Sequence, residues 1–448
     1  MLSAVMFFPR GGSATVARAL ARELPAHGWS SRTVSGSVPG HGDADAFYGD
    51  LDVHAAWFEP TGDLPMHPSY EDRANAPDAV FAAIDDLAYE RHVRAWSRQL
   101  YEAGAPDADV LHLHHLTPIN EAAARVAPDV PVVGHLHGTE LLMLEAIAEG
   151  PPPTWTHAAA WAKRMRAWAQ RCHTLVVLSP SQVPRVERVL GVGADRCVVV
   201  PNGVDLARFD RVGIDRAEHW VRHLADEPRG WGPGTAEGDI SYTRAEAERV
   251  AAYPVVLYVG RFTAVKRLPV LIRAWERAQA RLPTPASLVI VGGHPGEWEG
   301  EHPADVVAAT GVRNVFLAGW HAHETLPEFL AASDVHVLPS VREQFGAVIV
   351  EAMACGVPPI AVDRFGPAEI VEAGRTGWLV EPDDEAALAD ALVEAVSDGA
   401  ERRRRGDAAY ATAHARYGWP AMAARLAAVL EDAADARVDP VGSAPQAA

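Results

Sequence analysis

The sequence predicts an α/β protein made of two doubly wound, parallel-sheet domains. Short β-branched runs alternate with Ala-rich helical stretches, and the runs are apolar almost throughout, as strands covered by helices on both faces are. A chain of 448 residues is also too long for one ordinary core.

The first series of predicted strands covers residues 2–8, 109–114, 130–135, 174–178 and 197–200. The second covers 254–259, 287–291, 314–318, 334–338 and 358–362. Helical patterns lie between them: residues 13–27 with Ser13 as N-cap and a stop before Gly28, then 268–281 and 383–397. The boundary between the series falls near PNGVD (201–205), which gives an N-terminal domain of 1–203 and a C-terminal domain of 204–418. Residues 211–250 break the rhythm and read as an insertion, either ordered or a mobile loop. A strong helix pattern begins at Trp419, and residues 437–448 read as a disordered tail. Doubly wound sheets bind ligands at the carboxyl ends of their strands, so two facing sheets predict a site in the cleft between them.

Composition excludes several classes. A formal charge of −19 disfavours a nucleic-acid footprint and strong attachment to anionic lipid. No apolar run reaches the roughly 18 residues of a membrane span, and MLSAVMFFPRGG reads as a first strand, not a signal peptide. Cys172, Cys197 and Cys355 form no CxxC pair; neither a disulfide framework nor a zinc site is expected, and a reducing cytoplasm fits. The helix 161–171 carries Trp161, Met165 and Trp168 beside basic residues; a core-packed helix with a basic outer face is expected over a membrane-surface one. Oligomeric state is not legible.

Of the 40 basic residues only Lys163 and Lys266 are lysine. Where arginine dominates, a retained lysine is informative, because its compact ammonium is not always replaceable by guanidinium. Lys266 sits in VLYVGRFTAVKRLPVLIRAW (256–275), where a strand ends at Gly260 and a helix begins near Leu268. Arg261, Lys266 and Arg267 in that turn, together with the helix N-terminus, suit an anion such as a diphosphate. The plain alternative is a solvated basic loop.

The segment SVREQFGAVIVEAMACGVP (340–358) is a second strand–loop–helix unit. Gly346 precedes the helix, so backbone amides there can face a ligand. Glu343 lies in the loop, and Glu351 interrupts the apolar helix face, where a buried carboxylate needs a partner. Carboxylates at these two places suit paired hydroxyls of ribose and of a hexose.

GR-x4-K at Gly260, Arg261 and Lys266, followed by E-x7-E at Glu343 and Glu351, resembles family four of the retaining glycosyltransferases, which have the GT-B fold. PNGVDLARF (201–209), LVIVGG (288–293), ASDVHVLPS (332–340), EAMACGVPPIA (351–361) and PAEIVEAGRTGWLV (367–380) agree, and the resemblance covers nearly the whole chain outside 211–250 and the tail. VDRFGPAEI departs from the pattern, lacking the paired glycines often found before Glu-Ile. The resemblance implies two Rossmann-like domains, an acceptor side in 1–203 completed by the helix at about 419–436, and a nucleotide-sugar domain in 204–418. It implies that Arg261 and Lys266 bind the donor diphosphate and Glu343 the sugar hydroxyls. The amides of Gln344, Phe345, Gly346 and Ala347 contact sugar and phosphates, and Glu351 holds the ribose. The resemblance further implies a UDP- or GDP-sugar as donor and no need for a tightly bound cofactor or metal, and it leaves the acceptor unidentified.

In the N-terminal half, Gly11 and Gly12 open a helix after the first strand, where backbone can approach a phosphate or an acceptor. His112, His114, His115, His135 and His137 cluster at predicted strand ends; cleft-lining histidines are expected ahead of a metal site. His137, in HGTE, resembles the family's His-Gly motif and is implied to lie near the reacting sugar carbon. Glu140 reads simply as a helix start. Sugar transfer is the reading these residues favour, and the resemblance implies that it proceeds with retention; a nucleotide-sugar epimerase or isomerase, or a non-catalytic sugar-nucleotide binding module, are the alternatives.

Overall fold

The computed structural model describes residues 1–9, 11–40, 42–59, 62–70 and 79–438. Of the tail expected at 437–448, residues 439–448 lie outside this range, and the last helix, Trp419–Val438, reaches into its start. The chain divides into two compact units, Met1–Asn202 with Trp419 onward, and Gly203–Gly418.

The first unit has a seven-stranded parallel sheet of β1 (Leu2–Val5), β2 (Arg32–Ser37), β3 (Val53–Trp57), β4 (Leu111–His114), β5 (Val132–His135), β6 (Thr174–Val177) and β7 (Cys197–Val199). Its order is β3-β2-β1-β4-β5-β6-β7. The second unit has a six-stranded parallel sheet of β8 (Val255–Val259), β9 (Ser287–Val291), β10 (Val315–Gly319), β11 (Val335–Leu338), β12 (Pro359–Val362) and β13 (Trp378–Val380), in the order β10-β9-β8-β11-β12-β13. Each sheet therefore reverses its winding once, between β1 and β4 and between β8 and β11. At such a point the connections leave in opposite directions and open a crevice at the carboxyl ends of the strands.

Burial explains the strands. Val255 to Tyr258 are all fully buried, as a strand with helices on both faces requires. The expected strand 2–8 stops at Val5. Phe7 instead packs edge-on against His67 and His115, with ring centroids 4.9 Å from each, so the apolar run continues as a packed loop. Nor is Ser13 an N-cap: the helix is Gly12–Glu23, Gly11 caps it without a side-chain bond, and Ser13 lies inside the first turn. The helix Trp419–Val438 lays Met422, Leu426 and Leu430 on Val16, Leu20, Val133 and Val176 of the first unit. Each such fully buried side chain contributes about 1.5–3 kcal/mol. In the helix Ala158–Arg171, Trp161, Met165 and Trp168 are buried in the core of the same unit.

Residues 211–250 are ordered. They form the helix Arg216–Val221, a π-helical turn Arg222–Asp226 and the start of the helix Arg244–Ala252, which Thr243 and Glu246 begin with a capping box. Trp220 Nε1 donates to Ala332 O at 3.3 Å and Trp231 Nε1 to Gly293 O at 3.0 Å. The hydroxyl of Tyr242 accepts from Leu317 N at 2.7 Å. That bond satisfies an amide of β10, an edge strand, so the insertion covers an edge that would otherwise be open to pairing.

Candidate active site

In the second unit the loops after β8 and β11 meet at the winding reversal. Val341 N and Ser340 Oγ both donate to Val265 O, at 3.0 and 3.3 Å, and tie one loop to the other. Across this junction the ammonium of Lys266 pairs with the carboxylate of Glu343. Both side chains are largely buried, at 18% and 20% exposure. Arg261 stands exposed at the start of the same loop, its carbonyl accepting from the Tyr258 hydroxyl at 3.0 Å. Burial, with Glu343 nearby, pushes the Tyr258 hydroxyl above the ordinary phenol range, so it stays a neutral donor. Arg267 does not join this group. With φ 56° it turns aside and makes a two-pronged pair with Asp383, at 2.6 and 3.2 Å. The basic loop therefore presents Arg261 and Lys266, not three cations.

The helix after β11 is Ala347–Ala354. Gly346 caps it at φ 97°, a conformation other residues rarely adopt, and no side chain occupies the cap. Ile349 N donates to Gly346 O at 2.9 Å, while the preceding amides of Ala347 and Val348 belong to the turn that has no intrahelical acceptor. Phe365, in the stretch lacking paired glycines, takes a left-handed φ of 53° itself. Gly366 beside it packs against the backbone of Gln344 and Phe345, where an added Cβ would lie 2.4 Å from Phe345 O. The loop that carries Glu343 is thus braced from behind at a place where only glycine fits.

Glu351 is 9% exposed, and its Oε1 meets His323 Nε2 at 2.8 Å. The hydrogen bond to Glu351 raises the His323 pKa above its ordinary value, against a smaller opposing effect of burial. A raised value means that protonated His323 contributes stability below about pH 6.5, lost as pH rises through the higher folded value. An NMR titration should therefore place the His323 midpoint above 6.5, and Glu351→Gln should return it towards 6.5; a wild-type midpoint below 6.5 contradicts the pairing.

In the first unit, Gly11 and Gly12 follow β1, and the histidines follow or end β4 and β5, at the other winding reversal. His112 Nε2 meets His135 Nδ1 at 3.1 Å, and His114 Nδ1 meets His137 Nε2 at 3.0 Å. The rings of His135 and His137 stack at 4.8 Å, 7° from parallel. Burial pushes all four pKa values down, that of His112 to about 3, so these imidazoles are neutral at pH 7. His115 adopts φ 67°, a left-handed conformation that costs of order 1–3 kcal/mol in a non-glycine residue. It is held there by Glu140, whose Oε1 lies 2.6 Å from His115 Nδ1, and by Asn120 Nδ2, which donates to its carbonyl at 3.1 Å. Glu140 is fully buried and also accepts from the amide of His137, at 3.2 and 3.3 Å. It orients the His137 turn and is more than a helix start. Glu140→Ala should destabilise the first unit by about 1–3 kcal/mol in urea unfolding, because it leaves the buried His115 imidazole and the His137 amide without their acceptor; a loss under about 0.5 kcal/mol would refute that role.

Three contacts around the candidate site residues were missed from sequence. His323 lies 28 residues from Glu351 and carries no motif. Glu140 and His115 are 25 apart, and only the short distance from His137 to Glu140 hinted at the link. The Lys266–Glu343 pair joins two motifs that sequence assigned to different parts of one ligand.

Comparison with known proteins agrees with this architecture. Residues 10–208 match the family described as Glycosyltransferase Family 4, and residues 241–412 match Glycosyl transferases group 1. A D-inositol 3-phosphate glycosyltransferase of Streptosporangium roseum is 31% identical over 338 residues, 74% of this chain and 70% of that one. Another, from Nocardia farcinica, is 30% identical over 295 residues, 65% of this chain and 58% of that one. The crystal structure of Anabaena HepE in complex with UDP-glucose superposes with a TM-score of 0.68 at 19% identity, over 96% of this chain and 99% of that one. The two winding reversals, the motifs set at them and these matches place the chain in the group 1, family 4 glycosyltransferases, with the GT-B fold.

Proposed function

We propose that the enzyme transfers a hexosyl-type sugar from a nucleoside-diphosphate sugar to an acceptor hydroxyl, with retention of anomeric configuration. The observation that carries this reading is the pairing of Lys266 with Glu343 at the mouth of the helix that bears Glu351. One crevice thereby offers a cation, an open helix N-terminus and two carboxylates. In the proposed complex the ion pair opens. Lys266 and Arg261 take the diphosphate, Glu343 takes sugar hydroxyls, the amides from Gln344 to Ala347 contact sugar and phosphate, and Glu351 takes the ribose.

Cleavage of the sugar–phosphate bond places negative charge on the leaving diphosphate. Two cations and the helix start meet that charge as it develops, which is where electrostatic stabilisation accelerates a reaction. In this reading the protein itself supplies the countercharge, and no metal is invoked. The acceptor attacks the face from which the diphosphate departs, and a phosphate oxygen takes its proton. Within the first unit, Gly11, Gly12 and the His137 turn that Glu140 steadies are the groups proposed for acceptor recognition.

HepE was solved with UDP-glucose, and the relatives are named for an inositol phosphate, so UDP-sugars and phosphorylated cyclitols head the substrates to test. Purified protein incubated with UDP- and GDP-sugars, with and without such acceptors, should release nucleoside diphosphate by mass spectrometry. The product's anomeric proton coupling should match that of the donor. An inverted product defeats the retaining reading; a donor isomerised without acceptor defeats transfer itself.

A further inference from the structure

The insertion brings together residues that the transfer reaction does not use. His219 and His223, in HWVRH, lie four residues apart where the helix Arg216–Val221 passes into the π-helical turn, so both imidazoles leave one face. Their ring centroids are 4.6 Å apart. Glu328, on the helix Leu326–Ala331, faces them, and one potential ligand atom from each of the three lies within 4.8 Å of the others. Phe329 forms an apolar wall, with its ring centroid 4.6 Å from that of His219 and 4.7 Å from that of His223.

We propose that His219, His223 and Glu328 bind one divalent transition-metal ion, zinc by its ligand chemistry, and that the ion clamps the insertion to the helix Leu326–Ala331. Two imidazoles and a carboxylate are a zinc donor set that leaves a fourth tetrahedral position for water. His219 Nε2 is buried and has no hydrogen-bond partner among the described residues, a polar atom that a metal would satisfy. Glu328 is exposed, which gives the ion a route from solvent and supplies one compensating charge. π-Helical turns occur most often at functional sites. His219 and His223 lie outside both matched family segments, which end at 208 and resume at 241. The clamp braces the turn His323–Thr325, whose first residue holds Glu351.

The test uses the full chain, stripped with a chelator and titrated with cobalt(II) and zinc(II). Wild type should take up one tight equivalent, with the visible absorption of tetrahedral cobalt and a rise in thermal midpoint on adding zinc. Both His223→Gln and Glu328→Gln should weaken uptake by about tenfold or more. Glu328 is exposed, so its variant should fold even if the His223 variant does not. Absence of stoichiometric uptake by wild type would leave these histidines as packing around Phe329 and overturn the proposal. Unchanged uptake by Glu328→Gln would overturn it equally, whether the ion sits at the buried His112, His114 and His135 or elsewhere.

Discussion

Replacing Lys266 with alanine should lower kcat/KM for the nucleotide-sugar donor by about 10²–10³-fold, as loss of one preorganised group at a developing anion does elsewhere. On the proposed function the loss should divide between KM and kcat, because the ammonium binds the anionic diphosphate of the intact donor and also meets the further charge that develops as the sugar–phosphate bond breaks. In the free enzyme Lys266 already has a partner, Glu343, so the deletion also leaves a carboxylate at 20% exposure without its cation. Glu343→Gln separates the two effects. It removes the charge of the partner but keeps Lys266, and should therefore retain more kcat than Lys266→Ala. Lys266→Arg should recover only part of the activity, since a planar fork does not reproduce a compact point charge. Equal turnover by wild type and Lys266→Ala would remove the residue from the donor site.

The second large effect is on stability. The metal-free protein should lose stability steadily as pH falls below about 6.5, the value of an unfolded histidine. Burial lowers the folded pKa of His112, His114, His135 and His137, so below 6.5 the unfolded chain binds more protons than the folded one, and the equilibrium shifts towards unfolding. His92 and His336, lowered to about 4 and about 3, act with the same sign. While its folded form stays neutral, each buried histidine removes about 1.4 kcal/mol per pH unit. Against a marginal total of about 5–15 kcal/mol, a few such groups are decisive. Urea midpoints at pH 7, 6 and 5 should fall in sequence, with imidazole resonances of the β4–β5 cluster unchanged over that range. Constant midpoints, or titrating resonances, would show that these rings are hydrated.

Much of this architecture was legible because parallel strands announce themselves. VVLYV in β8 and SLVIV in β9 are apolar throughout, and no other element accommodates them as well at that length. β2, RTVSGS, was invisible for the opposite reason. Thr33, Ser35 and Ser37 are fully buried there, and Ser35 Oγ and Ser37 Oγ are satisfied by local backbone groups. Sequence cannot foresee that satisfaction, so a polar stretch reads as a loop. The two loop motifs at the β8–β11 reversal were legible because each is contiguous. What lay hidden was pairing over distance: Lys266 with Glu343, His323 with Glu351, His115 with Glu140, and Arg267 drawn off by Asp383. Spacing along a chain does not report which side chain neutralises which.

Glu351 tests the account most directly, because this buried carboxylate, paired with His323, is the group proposed to hold the ribose. Calorimetric titration of wild type and Glu351→Ala with UDP, GDP and UDP-glucose is the measurement. The account predicts saturable binding of at least one of these nucleotides to wild type and at least tenfold weaker binding to the variant. Equal affinity in the two proteins would contradict it.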